Sequence, residues 1–413
     1  MGRTSLMMVM GFNVIFMVMG FNLSTITTMA YDKYTKYYEM EQAVYCVGSG
    51  INIAVGAFYK DTGWIPSTSD YTFMGGSTFH IDKTWPGPDS ITLMARGYYA
   101  TLAETSIVGL KRGKFSEYAI YSVNENGIYW ITGDTCRGPL HTEDQLNVSG
   151  NPVFLGKVTT KLGLYKNPSS SKPQFAGYKS GISQALPSSC AEVISLGSSG
   201  GQSYSNKNVW IDFYPDGKIA VRTPTSGSTR TIYDNVSSLT SNGVVLVKNG
   251  DLHIKGTLNG RITLGCTGTG KVYLDSSIVY ATDPKSISPR CDDMLGIVAD
   301  KDILITDNSN NTNPAVGVTI NASLFSRTGG LQAENYASRD VSGKLKVVGG
   351  IQQKNRNPVG TFYIGGAIAS GFQKDYDFDK RLQTDAPVGY PALQKFTVMS
   401  WYERTNFPDS YFE

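Results

Sequence analysis

Histidine is scarce in this chain: His80, His141 and His253 are the only three in 413 residues. No P-loop, G-x-G-x-x-G or H-E-x-x-H stretch occurs. Without a base placed by motif or a cradle for phosphate, the expectation is no enzyme and no cofactor. His141, between Pro139-Leu140 and Thr142-Glu143-Asp144, reads as a turn-stabilising hydrogen-bond partner. Cysteine is also thin: Cys46, Cys136, Cys190, Cys266 and Cys291 are far apart and form no C-x-x-C, which argues against zinc. In an oxidising space at most two pairs form, with Cys266–Cys291 and Cys136–Cys190 as candidates. Charge is low as well, at 17% of residues and a net +3, with no basic run, so nucleic acid is not an expected partner.

What is abundant is Gly, Ser, Thr, Asn and Tyr, a composition that suits an extracellular β-rich chain with many turns. Against it stands one long run with no charge at all, residues 6–23, LMMVMGFNVIFMVMGFNL. As a helix it rises about 27 Å, close to the hydrocarbon thickness of a bilayer. From Ala30 the apolar character narrows to Tyr34, Tyr37, Glu41, Val44, Gly48, Ile51, Val55 and Phe58, in steps of four and three. Such steps keep side chains on one side of a helix, which is expected to end near Asp61 to Gly63.

Three readings fit this segment: a cleaved secretory signal, a plain membrane anchor, and a pilin-type stem that rests in lipid and is later bundled with its own copies. The amphipathic pattern running straight on disfavours cleavage after the run. The repeat MVMGFN, at residues 8–13 and 17–22, favours bundling. A nine-residue step turns a helix by about 180°, so the two copies face opposite ways. Gly11 and Gly20 would admit close neighbours on two sides, and Asn13 and Asn22 would hydrogen-bond between helices. Arg3 precedes the run and keeps its end cytoplasmic, so the remainder lies outside.

The remainder is read as short strands. Residues 63–205 form a β-rich first part with a Ser- and Gly-rich loop insertion at 163–205. Residues 210–221 are a strand, an Asp-Gly turn and a strand. Within 206–370 the rhythm becomes regular, with inward candidates Val245, Val247, Leu252, Ile254, Ile262, Leu264, Val272 and Leu274. Spacings of about ten residues suit a β-solenoid, right-handed and β-helix-like, with an antiparallel β-sandwich as the alternative. Residues 371–413 read as a cap over its end. There Asp375, Asp377 and Asp379 alternate; on a strand they share a face and would suit Ca²⁺, or would pair with Lys374, Lys380 and Arg381.

The N-terminal segment resembles the pilin-like segments of the PilX-type accessory class of type IV pili. The stretch GDTCRGPLHTEDQLNVSGNPVF is similar to one found in large bacterial surface proteins carrying such an N-terminus. Their C-terminal domain of unknown function is matched by GDLHIKGTLNGRITL, CDDMLGIVADKDILI, GGIQQKNRNPVGTF and KDYDFDKRL, in that order. The resemblance covers most of the chain outside about 163–205 and implies a surface-displayed structural protein with a solenoid-like body and no known reaction. It implies an inner-membrane precursor, contact with pilus assembly machinery, and an extracellular filament built from copies of the chain. Processing in such proteins falls after a Gly before the apolar run, here Gly2, leaving Arg3 first. Major pilins carry Glu at the fifth mature position; here it is Met7, so either assembly is of the accessory kind or the subunit polymerises without that charge pair. The alternatives are a membrane-anchored adhesin for glycan or protein, and a solenoid enzyme acting on polysaccharide.

Overall fold

The computed structural model describes residues 2–405 apart from 88, 225, 226, 228 and 364–366. The chain is mainly β with one long N-terminal helix. That helix, Gly2–Lys60, contains no proline and runs 59 residues, about 88 Å at 1.5 Å per residue. It stops where Asp61 takes over: its backbone N–H still donates to Ala57, and its carboxylate accepts the Gly63 N–H at 2.8 Å. In its outer half the hydroxyls of Thr25, Thr27 and Thr28 donate to the carbonyls four residues earlier, at 2.8–2.9 Å. The threonines are thereby satisfied without water.

The chain forms two compact units. The first comprises residues 1–112 and 395–413. Its sheet has the order Tyr71–Thr72, Thr78–Gly87, Ser90–Tyr99, Leu102–Lys114, Ala392–Thr405. The inner half of the helix lies on this sheet, burying Ala43, Cys46, Val47, Gly50, Ile51, Ala54 and Phe58 against Phe79, Ile81, Ile91, Leu93 and Phe396. Contact is close at Gly97, where a Cβ would stand 2.8 Å from the backbone N of Val47.

This buried face corrects the expected stripe. Ile51 and Phe58 are on it, but Val44 is exposed and Val55 only partly covered. The face is carried instead by Ala43, Gly50 and Ala54, about one residue earlier in phase. Docking selects small residues that let backbones approach, whereas the periodic reading had weighted bulk.

The second unit, residues 113–394, is built of parallel ladders in which a strand pairs with the next strand but one. One ladder runs through Val244–Lys248, Arg261–Thr267, Met294–Ala299, Val318–Ser326 and Val341–Asn355. Another runs through Leu252–Leu258, Val272–Tyr280, Ile303–Ile305 and Leu331–Ala333. All eight inward candidates are buried, from Val245 to Leu274. The sheets are mixed, because Val209–Phe213, Ile219–Arg222 and Thr231–Tyr233 pair antiparallel. The first two of these are the hairpin expected at 210–221.

Three expectations fail here. The stretch 163–205 is not loop throughout: between irregular segments such as 180–190 it holds the strands Leu164–Lys166, Gln174–Lys179 and Gln202–Ser205 and the helix Ala191–Ser198. Its few apolar side chains find distant partners, Phe175 stacking on Phe154 at 4.9 Å. The stretch 371–413 does not act as a cap. Ile368–Phe378 pairs with Val341–Asn355, and Ala392–Thr405 enters the first unit's sheet, where Phe396 meets Phe58 ring to edge at 5.0 Å. Residues 406–413 of that expected cap lie outside the described residues. Finally, all five cysteines are buried free thiols, so neither candidate disulfide exists. Cys266, for example, stands in register between Val247 and Ala299 as a small core residue.

Candidate functional site

The outer half of the helix is an unpartnered apolar surface. Every side chain from Gly2 to Tyr34 is exposed, including Met7 at 73% and Phe21 at 74%. The helix is long and apolar enough to cross a membrane. Gly11 and Gly20 have no atom within 4 Å of where a Cβ would be, so both remain open notches. Asn13 and Asn22 are exposed beside them, as are Tyr34, Tyr37 and Val44 further along. Gly48 is also open. Ile51 and Phe58, and largely Val55, are spent on the chain's own sheet. The packing candidates thus divide into an outer set free for a neighbour and an inner set already used. Gly2 and Arg3 form the helix's first turn, with Arg3 exposed.

The three alternating aspartates each take a cation instead of converging. Asp375 lies 3.6 Å from Arg137, Asp377 is held by Lys285, and Asp379 pairs with Arg381 at 2.7 Å. Asp379 also accepts the Arg381 backbone N–H as the cap of a short helix. Among the described residues no group of three His, Cys, Asp or Glu is placed to hold a metal ion.

Each histidine is held by neighbouring side chains. His141 is fully buried, with Nδ1 2.8 Å from Thr159 Oγ1 and Nε2 3.0 Å from Glu143, and its ring stacks on Tyr121. Burial pushes the Glu143 carboxyl up, but the Gln184 N–H, His141, Ser183 and Lys161 outweigh it and hold it down at about 2. Ser183 donates to Glu143 at 2.8 Å. The carboxylate therefore stands between serine and imidazole, the wrong order for activating a nucleophile. His253 is sandwiched between Trp210 and Tyr273 at 4.9 and 4.7 Å and faces Asp275 at 3.0 Å. His80 pairs with Asp70 at 2.9 Å. Gly197-Ser198-Ser199-Gly200-Gly201 has the spacing of a nucleophile elbow, yet Ser199 closes a helix rather than joining a strand to one.

One site was missed by sequence reasoning. The strand Val341–Asn355 is paired along one edge with Val318–Ser326. Along the other edge it changes partner. Its first half takes Ile368–Phe378, up to Gly349 opposite Phe378, and its second half takes Ile120–Asn124, from Ile351 opposite Ile120. The switch falls at Gly349-Gly350. A Cβ on Gly349 would lie 1.9 Å from the Ala322 carbonyl oxygen, and one on Gly350 2.6 Å from that of Tyr118. Crevices open beside Ile368–Phe378 where that strand faces the segment 133–137. One, of about 240 Å³, is lined by Trp130, Asp134, Lys344, Gln373, Lys374 and Tyr376 among others. A larger one, of about 570 Å³, lies past Asp377 and Phe378 beside Lys285 and Arg381. Nothing local in the sequence announces a branch that depends on pairings more than two hundred residues apart.

No protein-family model matches the chain, and no curated protein is similar to it in sequence. Among solved structures, the competence-associated pilin ComZ from Thermus thermophilus aligns over 89% of this chain and 98% of its own, with 11% identity and a TM-score of 0.35. A likeness of that size carries no weight for fold or function here.

Proposed function

We propose that this chain is a structural subunit of an extracellular pilus-like filament. Its outer helix would be held first in the inner membrane and then, with the help of pilus assembly machinery, among copies of itself. The observation that carries the reading is the division of one continuous helix. Its inner half is docked on its own sheet, and its outer half, with no charge from residue 4 to residue 31, is wholly exposed. Lipid and neighbouring helices are equally apolar, so the gain on leaving lipid must come from close packing and hydrogen bonding. Gly11 and Gly20 supply the notches and Asn13 and Asn22 the amides. The second unit, as a solenoid-like body of stacked parallel strands, would face outward.

The test is imaging of sheared surface material by negative stain, with and without Gly11→Leu and Gly20→Leu together. The reading expects regular fibres from the parent chain. It expects none from the double variant, which still inserts in the membrane because leucine is at home in lipid. Fibres unchanged by the double variant would remove the close-packing mechanism, and single particles from the parent would remove the filament itself. The second reading, a membrane-anchored adhesin, is favoured by the crevices at the branched strand and predicts those single particles.

A further inference from the structure

The 240 Å³ crevice carries one cation, Lys374, where the fold leads one to expect an apolar side chain. In the second unit, Val318, Leu345 and Lys374 are successive members of one column across the parallel strands, and Ile320, Val347 and Tyr376 are members of the next. The first two residues of each column are at most 1% exposed. Lys374 therefore occupies an inward position that the pattern fills with aliphatic side chains, and its own strand puts the fully buried Phe372 two residues before it. Burial, reinforced by Arg356, pushes the Lys374 ammonium down to about 8, against the pull of Asp134 and Glu125. Among the described residues, neither Lys374 nor its neighbour in the crevice, Lys344, takes an ion pair. The third cation, Arg137, is spent on Asp375 at 3.6 Å. Three cations face two carboxylates, Asp134 and Asp375, so the crevice is left positive by one charge.

An unpaired, half-buried ammonium group is costly, and an anion arriving at Lys374 would offset the cost. The rest of the lining narrows what that anion is. Trp130 and Tyr376 give an aromatic wall, while Gln373, Thr135 and Asp134 offer neutral and acidic partners for hydroxyl groups. Asp134 repels a doubly charged phosphate more strongly than a singly charged carboxylate, and it accepts from a sugar hydroxyl. The volume lies below the roughly 300–1,000 Å³ of pockets for drug-sized ligands, which suits one ring and not a chain of them. We propose that this crevice binds an acidic sugar residue of a polysaccharide, with its carboxylate on Lys374 and its hydroxyls on Gln373, Thr135 and Asp134. The site does not depend on assembly: a chain that never forms fibres would still bind.

The experiment is calorimetric titration of the full-length chain in detergent with glucuronate, glucose and inorganic phosphate. Glucuronate binds, and the other two bind at least about tenfold more weakly, the scale of one charge-assisted contact. Lys374→Met lowers glucuronate affinity by a similar factor, about tenfold or more. The same variant keeps or raises the thermal midpoint, since methionine suits the apolar column. Parent affinity falls as pH rises past about 8, while that of the variant stays flat. The groups facing Lys374 are Arg356, Asp134, Glu125, Asp375, Lys344 and Tyr376, and the flat variant profile separates its titration from theirs. Equal binding of glucose, equal or tighter binding of phosphate, unchanged affinity in Lys374→Met, or no glucuronate heat at about 10 mM ligand would each overturn the proposal.

Discussion

Replacing Gly97 with alanine tests how the stem is seated. The added Cβ would stand 2.8 Å from the backbone N of Val47, 3.0 Å from its Cβ and 3.1 Å from its Cα. Carbon contacts settle at about 3.5–4.0 Å, so the helix must retreat by roughly 0.5–1 Å. Val47 cannot swing away, because two of the three atoms met are backbone. A gap of that size forfeits about a quarter to a half of each contact along the seam. The seam holds Cys46, Ile51, Ala54 and Phe58, all fully buried. Overpacking typically costs about 1–3 kcal/mol, and a rigid partner puts Gly97→Ala in the upper half of that range. Gly56 is the counterpart, exposed on the same helix with nothing within 4 Å of its Cβ position. There alanine removes a helix-interior glycine and should stabilise by about 0.8–1 kcal/mol. Denaturant unfolding of the full chain in detergent, followed by far-UV circular dichroism and tryptophan fluorescence, reads both. If Gly97→Ala and Gly56→Ala move the midpoint in the same direction, the close seating of the helix is refuted.

Other expectations follow from buried polar groups. Arg356 donates to Glu125 at 2.7 Å and lies over Trp130 at 4.5 Å, with Glu125 only 1% exposed. Arg356→Met should therefore cost about 3–5 kcal/mol by stranding the carboxylate. Adding Glu125→Gln should return most of that loss; no recovery in the double variant would mean the pair is not the cause. Glu143, held at about 2, contributes stability that is complete above its ordinary value of 4.5 and is lost as pH falls from there toward 2. An acid titration of stability should show that limb, and Glu143→Gln should flatten it. Burial pushes the thiols of Cys136 and Cys266 up to about 11 and 12, and Cys190 higher still. Iodoacetamide at mildly alkaline pH should label none of the five buried cysteines until the chain is unfolded. Rapid labelling of native protein would contradict the burial.

Much of this architecture could be read from the residues because much of it is local. The charge-free run and the absence of proline up to Pro66 set out the helix. The Asp216-Gly217 turn closes the hairpin, with Gly217 donating back to Tyr214 at 3.0 Å. Alternation marked Val245 and Val247 as inward, since a strand's faces are decided by its own sequence. What stayed hidden was which strand lies beside which. Asn124 and Asn355 exchange a side-chain hydrogen bond at 2.7 Å across a separation of 231 residues, and no periodicity encodes that. The return of Ala392–Thr405 to the first unit's sheet is of the same kind: Phe396 reads as one aromatic among several until Phe58 is found under it.

The same limit applies to the alternating aspartates and to the lysine beside them. Asp375, Asp377 and Asp379 drew notice because like charges alternated along one segment, but their partners come from Arg137, Lys285 and Arg381. Two of these three belong to other segments, so the question of metal or ion pair had no local answer. Lys374, one position away, reads in the sequence only as a pairing partner for these aspartates. Its register makes the anomaly plain, because Leu345 is then its neighbour and the column apolar. In a chain built of parallel ladders, a residue that breaks its column is therefore a sharper pointer to function than a residue that breaks its own strand's pattern. By that measure Lys374, on the strand that accompanies Val341–Asn355 up to Gly349, is where substitution should change binding without changing the fold.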